Sequence, residues 1–391
     1  MKAYKYRAYP TKIQAIAIDA QIEYCRQLWN TLLAQKKNAY KKDKISLSRN
    51  DLNNRLKGEK IVHSQVSQNV SQRIVGAYTA FFGRVKRGEK EKGFPRFKTY
   101  KESGSITLPQ IVNPKKIGKK TYFPKIGWLN TKYHRPIEGT PKTLTIKKSK
   151  SGKYFLTVCC DGVPKEVVEV GDGEAGIDLG LNHFIATSDG DFIEHPKPIK
   201  QLPGKRKALA KEFSKTKKRS KNRNKARIRQ ARLDEKIANI RNDFGWKTCL
   251  ALIKKYKTIY MENLNVRGMA KNRFLAKAIT DVSWSDFTSK LSFKAESAGV
   301  KVVKVNPKNT SQMCSECGRI VQKSLAVRTH RCPHCGLVLD RDINSARNIL
   351  IKGIGLGRPK LTPVGVKAST DGISPKQVLS MNQEATQLVG W

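Results

Sequence analysis

The chain has 391 residues, enough for two or three domains, and a formal net charge of +47. No run of apolar residues reaches membrane-spanning length, and the charged start Met1–Tyr6 has no apolar stretch behind it, which sets aside membrane and secretory readings and leaves a cytoplasmic location as the expectation. An excess of Lys and Arg this large strains a compact fold by self-repulsion unless a polyanion neutralises it, and nucleic acid is the natural counterion.

In chain order, residues 2–8 read as a strand ending at Pro10. Thr11, with Gln14 three positions on, makes the capping-box pattern of a helix start, and Ile18, Ile22, Cys25, Trp29 and Leu32 follow at helical spacing. A second helix is expected from Ser64 to about Val85, with Val66, Val70, Ile74, Tyr78 and Phe81 or Phe82 on one side. Gln65, Gln68, Asn69 and Gln72 are candidate readers of a short flanking duplex motif, since amides pair with adenine edges. An ordinary polar helix face also accounts for such residues. Gly93-Phe94-Pro95-Arg96-Phe97 reads as a rigid turn presenting basic and aromatic side chains. Short strand-like runs at 104–109 and 120–128 follow, then a hairpin of Thr143–Ile146 against Tyr154–Val158. These strands suggest a small barrel that includes the N-terminal strand and has the helices inserted.

From Gly171 the pattern turns α/β. Strands are expected at 175–179, 183–187, 192–195, 257–262 and 300–305, with a long basic helical stretch at about 205–255 between the third and fourth. Ile237, Ile240 and Phe244 mark a buried seam in that stretch. A helix at 283–298 precedes the last strand, and another begins near Asp342 and runs through Ala346, Ile349 and Leu350. Three strands, a helix, a strand, a helix, a strand and a final helix is the order of an RNase H-like fold. Beyond Gly353 the chain is rich in Gly, Pro, Ser and Thr and is expected to be disordered.

Three carboxylates lie far apart in sequence but at corresponding positions in this pattern. Asp178 ends an apolar strand within Gly-Ile-Asp-Leu-Gly, Glu262 ends Thr-Ile-Tyr-Met-Glu, and Asp342 opens the last helix within Asp-Arg-Asp-Ile-Asn. Neighbouring parallel strand ends would set Asp178 beside Glu262, with Asp342 pointing to the same edge. Carboxylates suit hard cations, and a two-metal hydrolytic site needs such a set around Mg²⁺ or Mn²⁺. Each acid alone reads equally well as a turn residue or a helix cap. Asp340 competes with Asp342, and counting back from Asn-Ser-Ala-Arg-Asn favours Asp342.

Cys25, Cys159, Cys160 and Cys249 are scattered and read as buried apolar residues. Cys314, Cys317, Cys332 and Cys335 form C-x₂-C-x₁₄-C-x₂-C, the pattern of a structural Zn²⁺ site whose four thiolates leave no open catalytic position. His330 and His334 stand close by, and the paired cysteines make them unnecessary as ligands. The charge run from Lys215 to Arg223 lies between two of the acid-bearing strands, which favours tracking of a nucleic-acid backbone over a merely solvated face.

Taken together these motifs resemble the TnpB family, RNA-guided endonucleases of bacterial and archaeal insertion sequences related to type V CRISPR effectors. The resemblance runs through Tyr-Arg-x-Tyr-Pro-Thr at the start, Gly93–Lys98, Gly176–Gly180, Met261–Leu264 and Asn309-Thr310-Ser311. It continues through Arg328 before Cys332 and the run Asp340–Ala346. Ser345 stands where Ala is common and His330 where an aromatic ring is common. The resemblance implies a wedge-type β-barrel (1–10 and 91–170), a helical recognition module (11–90) and a RuvC-like nuclease domain (171–308 and 338–353). It also implies a zinc-bearing target-nucleic-acid-binding insertion (309–337), followed by the tail at 354–391. It further implies a catalytic triad of Asp178, Glu262 and Asp342, a guide RNA, a double-stranded DNA target, and one protein copy per RNA. Such a protein associates with the nucleoid when bound to DNA. Arg7, Arg96, Lys98, Lys217, Lys218, Arg219, Arg223 and Arg328 are the candidate nucleic-acid contacts. The expected activity is RNA-guided cleavage of DNA. A guide-independent resolvase or transposase and a non-cleaving DNA-binding repressor remain as alternatives at this point.

Overall fold

The computed structural model describes residues 1–355 except 57, 59–60, 101–103, 112–116, 118–119, 165–167 and 325. The expected disordered tail therefore falls outside the described residues from 356 onward. The chain divides into two units after Pro164. No helix among the described residues is long and apolar enough to cross a membrane.

In the first unit, β1 (Lys2–Tyr9) buries Tyr4, Tyr6 and Ala8 by strict alternation. The helices α1 (Lys12–Asp43), α2 (Arg49–Asn54) and α3 (Ser64–Lys86) come next. The Thr11–Gln14 capping box forms, with Gln14 N donating to Thr11 Oγ1 at 3.3 Å and Thr11 N donating to Gln14 Oε1 at 3.0 Å. Strands β2 (Gly104–Leu108), β3 (Lys120–Phe123), β4 (Gly127–Lys132), β5 (Thr140–Lys148) and β6 (Tyr154–Asp161) complete the unit. The run expected at 120–128 is a hairpin rather than one strand. Lys125 and Gly127 take left-handed φ values of 63° and 88°, so the chain reverses there. All six strands form one antiparallel sheet in the order β2-β5-β6-β1-β4-β3, a half-barrel with β1 near its middle. Leu28, Trp29, Leu32, Leu52, Val70 and Ile74 form a separate helical core.

The second unit is built on β7 (Gly173–Leu179), β8 (Ile185–Thr187) and β9 (Phe192–Ile193). Val168 and Val170 already pack against its core, so this unit begins before the boundary expected at 171. The basic stretch then forms α4 (Pro198–Gln201), α5 (Pro203–Lys215) and α6 (Lys221–Lys255). The expected single helical stretch breaks at 216–220, where Arg219 is left-handed (φ 65°) and Ser220 Oγ accepts from Arg223 N at 3.0 Å as the cap of α6. There follow β10 (Tyr256–Glu262), α7 (Val266–Met269), α8 (Ala276–Val282), α9 (Trp284–Ala298), β11 (Lys301–Val305), β12 (Thr329–Arg331), β13 (Val338–Asp340) and α10 (Arg341–Ile354).

Five of these strands form a sheet in the order β11-β10-β7-β8-β9, with β11, β10 and β7 parallel and β8 and β9 antiparallel. Period-two alternation sorts its side chains. Ala175, Ile177, Leu179, Ile259 and Met261 face Cys249, Leu252 and Ile253 of α6, Ile279 of α8, and Phe287 and Leu291 of α9. The opposite face carries α10, whose Ile349 and Leu350 pack on Tyr260 and Val305. Helix and sheet approach closely here because Gly176 and Gly353 have no side chains. A Cβ on Gly176 would lie 2.0 Å from Ala346 O, and one on Gly353 would lie 1.9 Å from the Tyr260 ring.

Candidate functional site

Asp178 and Glu262 belong to the sheet face under α10, since each is one residue beyond an apolar residue of the other face. Tyr260 is paired with Gly176 and Met261 with Ile177. One further residue sets Glu262 beside Asp178 at the C-terminal edge of the parallel pair. Asp340 is the N-cap of α10, its Oδ1 accepting from Asp342 N at 2.7 Å and Ile343 N at 3.3 Å. Asp340 is thereby occupied by the helix end, and the Asp342 carboxylate is left to face the sheet edge, where a Cβ on Gly180 would lie 3.6 Å from Asp342 Oδ2.

The three carboxylates are costly where they sit. Burial pushes the Asp178 carboxyl well above the usual range, and repulsion from Glu262 and Asp342 pushes it further. Burial also raises Glu262 and Asp342. Among the described residues only the four cysteines bring three or more ligand atoms all within 4.8 Å of one another. The acids are thus spaced more widely than a one-ion cluster. Asp178, Glu262 and Asp342 would hold more than one divalent ion between them rather than a single one. An all-oxygen anionic donor set with raised proton affinity fits hard divalent cations.

Sequence reasoning missed the groups that hold these acids. Thr310 is buried, and its Oγ1 donates to Glu262 Oε1. Asn348 Nδ2 donates to Thr310 O at 2.9 Å and to Met313 O at 2.6 Å, Asn344 Nδ2 donates to Met313 O at 2.8 Å, and Ser315 N donates to Asn344 Oδ1 at 2.9 Å. These two asparagines, one helical turn apart on α10, grip the backbone that leads into the first cysteine pair. Their i, i+4 spacing was the available signal. Arg341 Nη1 donates to Ser324 O at 3.0 Å, and Arg341 N to Arg328 O at 2.7 Å. That grip sets Arg328 Nη1 3.8 Å from Asp342 Oδ1, while Asn182, with its amide oriented to suit, accepts from Arg328 Nε at 3.1 Å and Nη2 at 3.2 Å. Of the basic candidates, Arg328 alone is brought to the acids.

The four cysteines converge, with Sγ–Sγ distances of 3.6 Å for Cys314–Cys335 and 3.5 Å for Cys317–Cys332. Four thiolates ~2.3 Å from one tetrahedral Zn²⁺ stand ~3.8 Å apart, so the cluster fits that ion. The two loops are built alike: Gly318 N donates to Cys314 O and Gly336 N to Cys332 O, both at 3.0 Å, and both glycines are left-handed (φ 78° and 75°). His330 and His334 stand outside the cluster, bonded to Lys323 and Arg319.

The remaining candidates are dispersed. Arg7 Nη1 donates to Tyr154 O at 2.8 Å, and its guanidinium lies over the rings of Tyr9 and Phe155. Arg223 is likewise engaged internally, donating to Phe213 O at 3.2 Å and Thr216 O at 3.0 Å with its guanidinium 4.0 Å from the Phe213 centroid, so it fastens the α5–α6 turn. Lys217, Lys218 and Arg219 are exposed at that turn. Arg96 is exposed, whereas Lys98 lies half-buried on Trp29, and burial, then repulsion from Arg73, pushes its ammonium down to about 8. Gln65, Gln68, Asn69 and Gln72 occupy the side of α3 away from its buried Val66, Val70 and Ile74.

Three family models match in chain order: "Helix-turn-helix domain" (OrfB_IS605 type) over residues 1–44, "Probable transposase" (OrfB_IS605) over 157–273, and "Cas12f1-like, TNB domain" over 284–349. A Streptomyces pristinaespiralis protein named as a candidate RNA-guided DNA endonuclease is 29% identical, covering 96% of this chain and 92% of its own. The candidate RNA-guided DNA endonuclease InsQ of Escherichia coli K12 is 28% identical over 74% of each chain. The CRISPR-associated endodeoxyribonuclease Cas12f1 of Sulfoacidibacillus thermotolerans is 37% identical over 31% of this chain and 29% of its own. The fold matches the Cas12f1–sgRNA–target DNA complex with a TM-score of 0.58 at 16% identity, covering 87% of this chain and 82% of that one. It matches the RNA-guided endonuclease Cas_phi3 with a TM-score of 0.52 at 10% identity over 93% of each. The motifs, three family models in chain order and a relative aligned along nearly the whole length agree: the chain is similar to the TnpB-type RNA-guided DNA endonucleases.

Proposed function

We propose that this chain is an RNA-guided DNA endonuclease whose RuvC-like, RNase H-like centre is formed by Asp178, Glu262 and Asp342. The observation that carries the reading is the convergence, on one sheet edge under α10, of three carboxylates withdrawn from water, with Asp178 repelled by the other two. Such an arrangement is unfavourable unless cations compensate it. Two Mg²⁺ or Mn²⁺ ions, when bound, supply Lewis acidity at the attacking and leaving oxygens of a DNA phosphodiester. The chain's own residues orient that chemistry. Thr310 fixes the rotamer of Glu262, Asp340 holds the start of α10 so that Asp342 is free, and Arg328 stands beside Asp342 as a cation for the scissile phosphate.

In this reading the half-barrel with residues 91–164 serves as the wedge, α1–α3 as the recognition module, and residues 309–337 as a Zn²⁺-stabilised insertion beside the target. A guide RNA supplies sequence specificity by base pairing, with the protein holding backbones and reading a short flanking motif of the duplex. The site of action is the cytoplasm, on chromosomal DNA. The test is to purify the chain with its RNA, sequence that RNA, and assay cleavage of a matched duplex in Mg²⁺ and Mn²⁺. Guide-dependent cutting that EDTA stops is the expected result. Cutting that persists after the RNA is removed overturns the guided reading, and no cutting under any flanking sequence overturns the nuclease.

A further inference from the structure

An aromatic surface on the first unit is left unused by the cleavage chemistry. Phe94 and Phe97 flank Pro95, which is buried, yet Phe94 is 43% and Phe97 52% exposed. Phe82 on α3 is 59% exposed. The segment that carries the two phenylalanines has no regular secondary structure, but its carbonyls are taken up one after another by side chains of α1 and α3. Arg84 Nε and Nη2 donate to Lys92 O and Gly93 O, Trp29 Nε1 donates to Arg96 O at 3.1 Å, and Arg26 Nη1 and Asn30 Nδ2 both donate to Lys98 O at 2.9 Å. Main-chain groups held at that density fix a loop in place. What the loop presents outward is therefore presented rigidly.

The Phe94 ring is held as well. Phe81 and Tyr78 meet Phe94 edge-on, at 5.0 Å and 80° and at 5.4 Å and 84°. The Lys37 ammonium lies 5.0 Å from the Phe94 centroid and 4.7 Å from that of Phe97, between the two exposed rings. Arg84, which holds the Lys92 and Gly93 carbonyls, and the exposed Lys86, Arg87, Lys90, Lys92 and Arg96 lie on the same stretch of chain. A rigid aromatic surface threaded by cations is poorly suited to an apolar protein face, which would strand those charges. It is well suited to a strand that offers a π-face and a phosphate at each step. Paired bases keep their faces stacked on one another, so the fitting partner is unpaired.

We propose that Phe94 and Phe97, with Lys37 between them, form a stacking platform for unpaired bases of a bound single strand, the ammonium meeting the adjoining phosphate. This inference rests on the reading of the chain as a nucleic-acid-binding effector and adds a base-stacking site to it. The test uses the full-length chain and two oligonucleotides of equal length and charge, an oligo-dT and the same backbone with abasic sites throughout. Salt-dependent binding of either oligomer tests the nucleic-acid reading by itself, and the ratio of the two affinities tests the platform.

The wild type is expected to bind the base-bearing strand about tenfold more tightly than the abasic one. The double variant Phe94→Leu/Phe97→Leu, which keeps the apolar character but removes the rings, is expected to bind both alike with an unchanged salt slope, and Phe94→Tyr/Phe97→Tyr to restore the ratio. Equal affinities in the wild type, or a Leu variant that discriminates as well as the wild type, overturn the proposal. A photocrosslinking residue placed at Phe97 is expected to capture the oligonucleotide. Capture of a segment of this chain alone, with none of the strand, assigns the patch to a protein contact and also overturns it.

Discussion

The two faces of the five-stranded sheet differ in what their burial achieves. On one face Ala175, Ile177, Leu179, Ile259 and Met261 meet α6, α8 and α9 in an almost wholly apolar layer. On the other, α10 covers Asp178 and Glu262 and buries Asn344, Asn348, Arg341, Arg347 and Asp342 among the residues it carries or faces. The apolar face gains stability from area removed from water. The polar face accepts desolvation and like-charge repulsion to hold three acids in register, and it recovers part of that through backbone carbonyls gripped by side chains. One strand pair serves both purposes because its side chains alternate between the faces.

The largest effect that separates the faces comes from neutralising the acids. Asp178→Asn, Glu262→Gln or Asp342→Asn each lowers cleavage by about a thousandfold or more, roughly 4 kcal/mol of transition-state stabilisation, while guide-RNA binding stays near wild type. The metal-free Asp178→Asn protein should also melt higher than the metal-free wild type. The sign follows from burial and repulsion raising this carboxyl. Between its ordinary and its raised value folding takes up a proton, so stability falls as pH rises through that window and the full cost is present above it. The amide removes the cost. Melting curves with and without Mn²⁺ are the check, and an unchanged or lower melting temperature for the variant counts against a repelling acid cluster.

The cysteine insertion tests whether the polar face needs its outer support. Cys314→Ser/Cys317→Ser removes two of four thiolates and is expected to abolish Zn²⁺ content measured by mass spectrometry. Because Met313 and Ser315 are the groups that Asn344 and Asn348 grip, cleavage should fall by about tenfold to a hundredfold even though no carboxylate has changed. Full activity in a zinc-free variant would mean that the insertion does not support the acids. A smaller effect is expected from Thr310→Val, which keeps shape and deletes the donor to Glu262. Cleavage should fall about fivefold to twentyfold, with a higher Mn²⁺ concentration needed for half-maximal thermal stabilisation, and Thr310→Ser should restore both.

Much of this was legible in the sequence, and unevenly so between the faces. Strand alternation and helical spacing located the elements, and the C-x₂-C pairs announced their cluster because each loop folds within five residues. The three acids were legible as strand-end and helix-start positions. Their supports were not. Thr310, Asn344 and Asn348 act through backbone carbonyls of distant segments, and a carbonyl leaves no mark on residue type. The break in the basic stretch at 216–220 was hidden because Lys and Arg favour helices on either side of it, while the cap at Ser220 is a single residue. Arg223 looked like a phosphate contact because its charge is visible in the sequence and its engagement with Phe213 O and Thr216 O is not.

The last expected effect is on stability alone and comes from the apolar face, where burial acts on a base rather than on acids. His195 is buried against the rings of Phe184 and Phe244, and its Nδ1 accepts from Lys197 N at 2.9 Å. Burial pushes its imidazolium down to about 4. The unfolded chain takes up this proton near the ordinary value of ~6.5, so stability is fully present above that pH and is lost as pH falls toward 4. At pH 5 the loss from this one group is about 2 kcal/mol. His195→Asn keeps an acceptor for Lys197 N but does not titrate. The variant should therefore lose less stability than the wild type between pH 7.5 and pH 5, as read from urea midpoints at the two values. An identical loss in both proteins would place the acid sensitivity elsewhere. Burial thus raises the carboxyls of one face and lowers the imidazolium of the other, and only on the first does like-charge repulsion add to it.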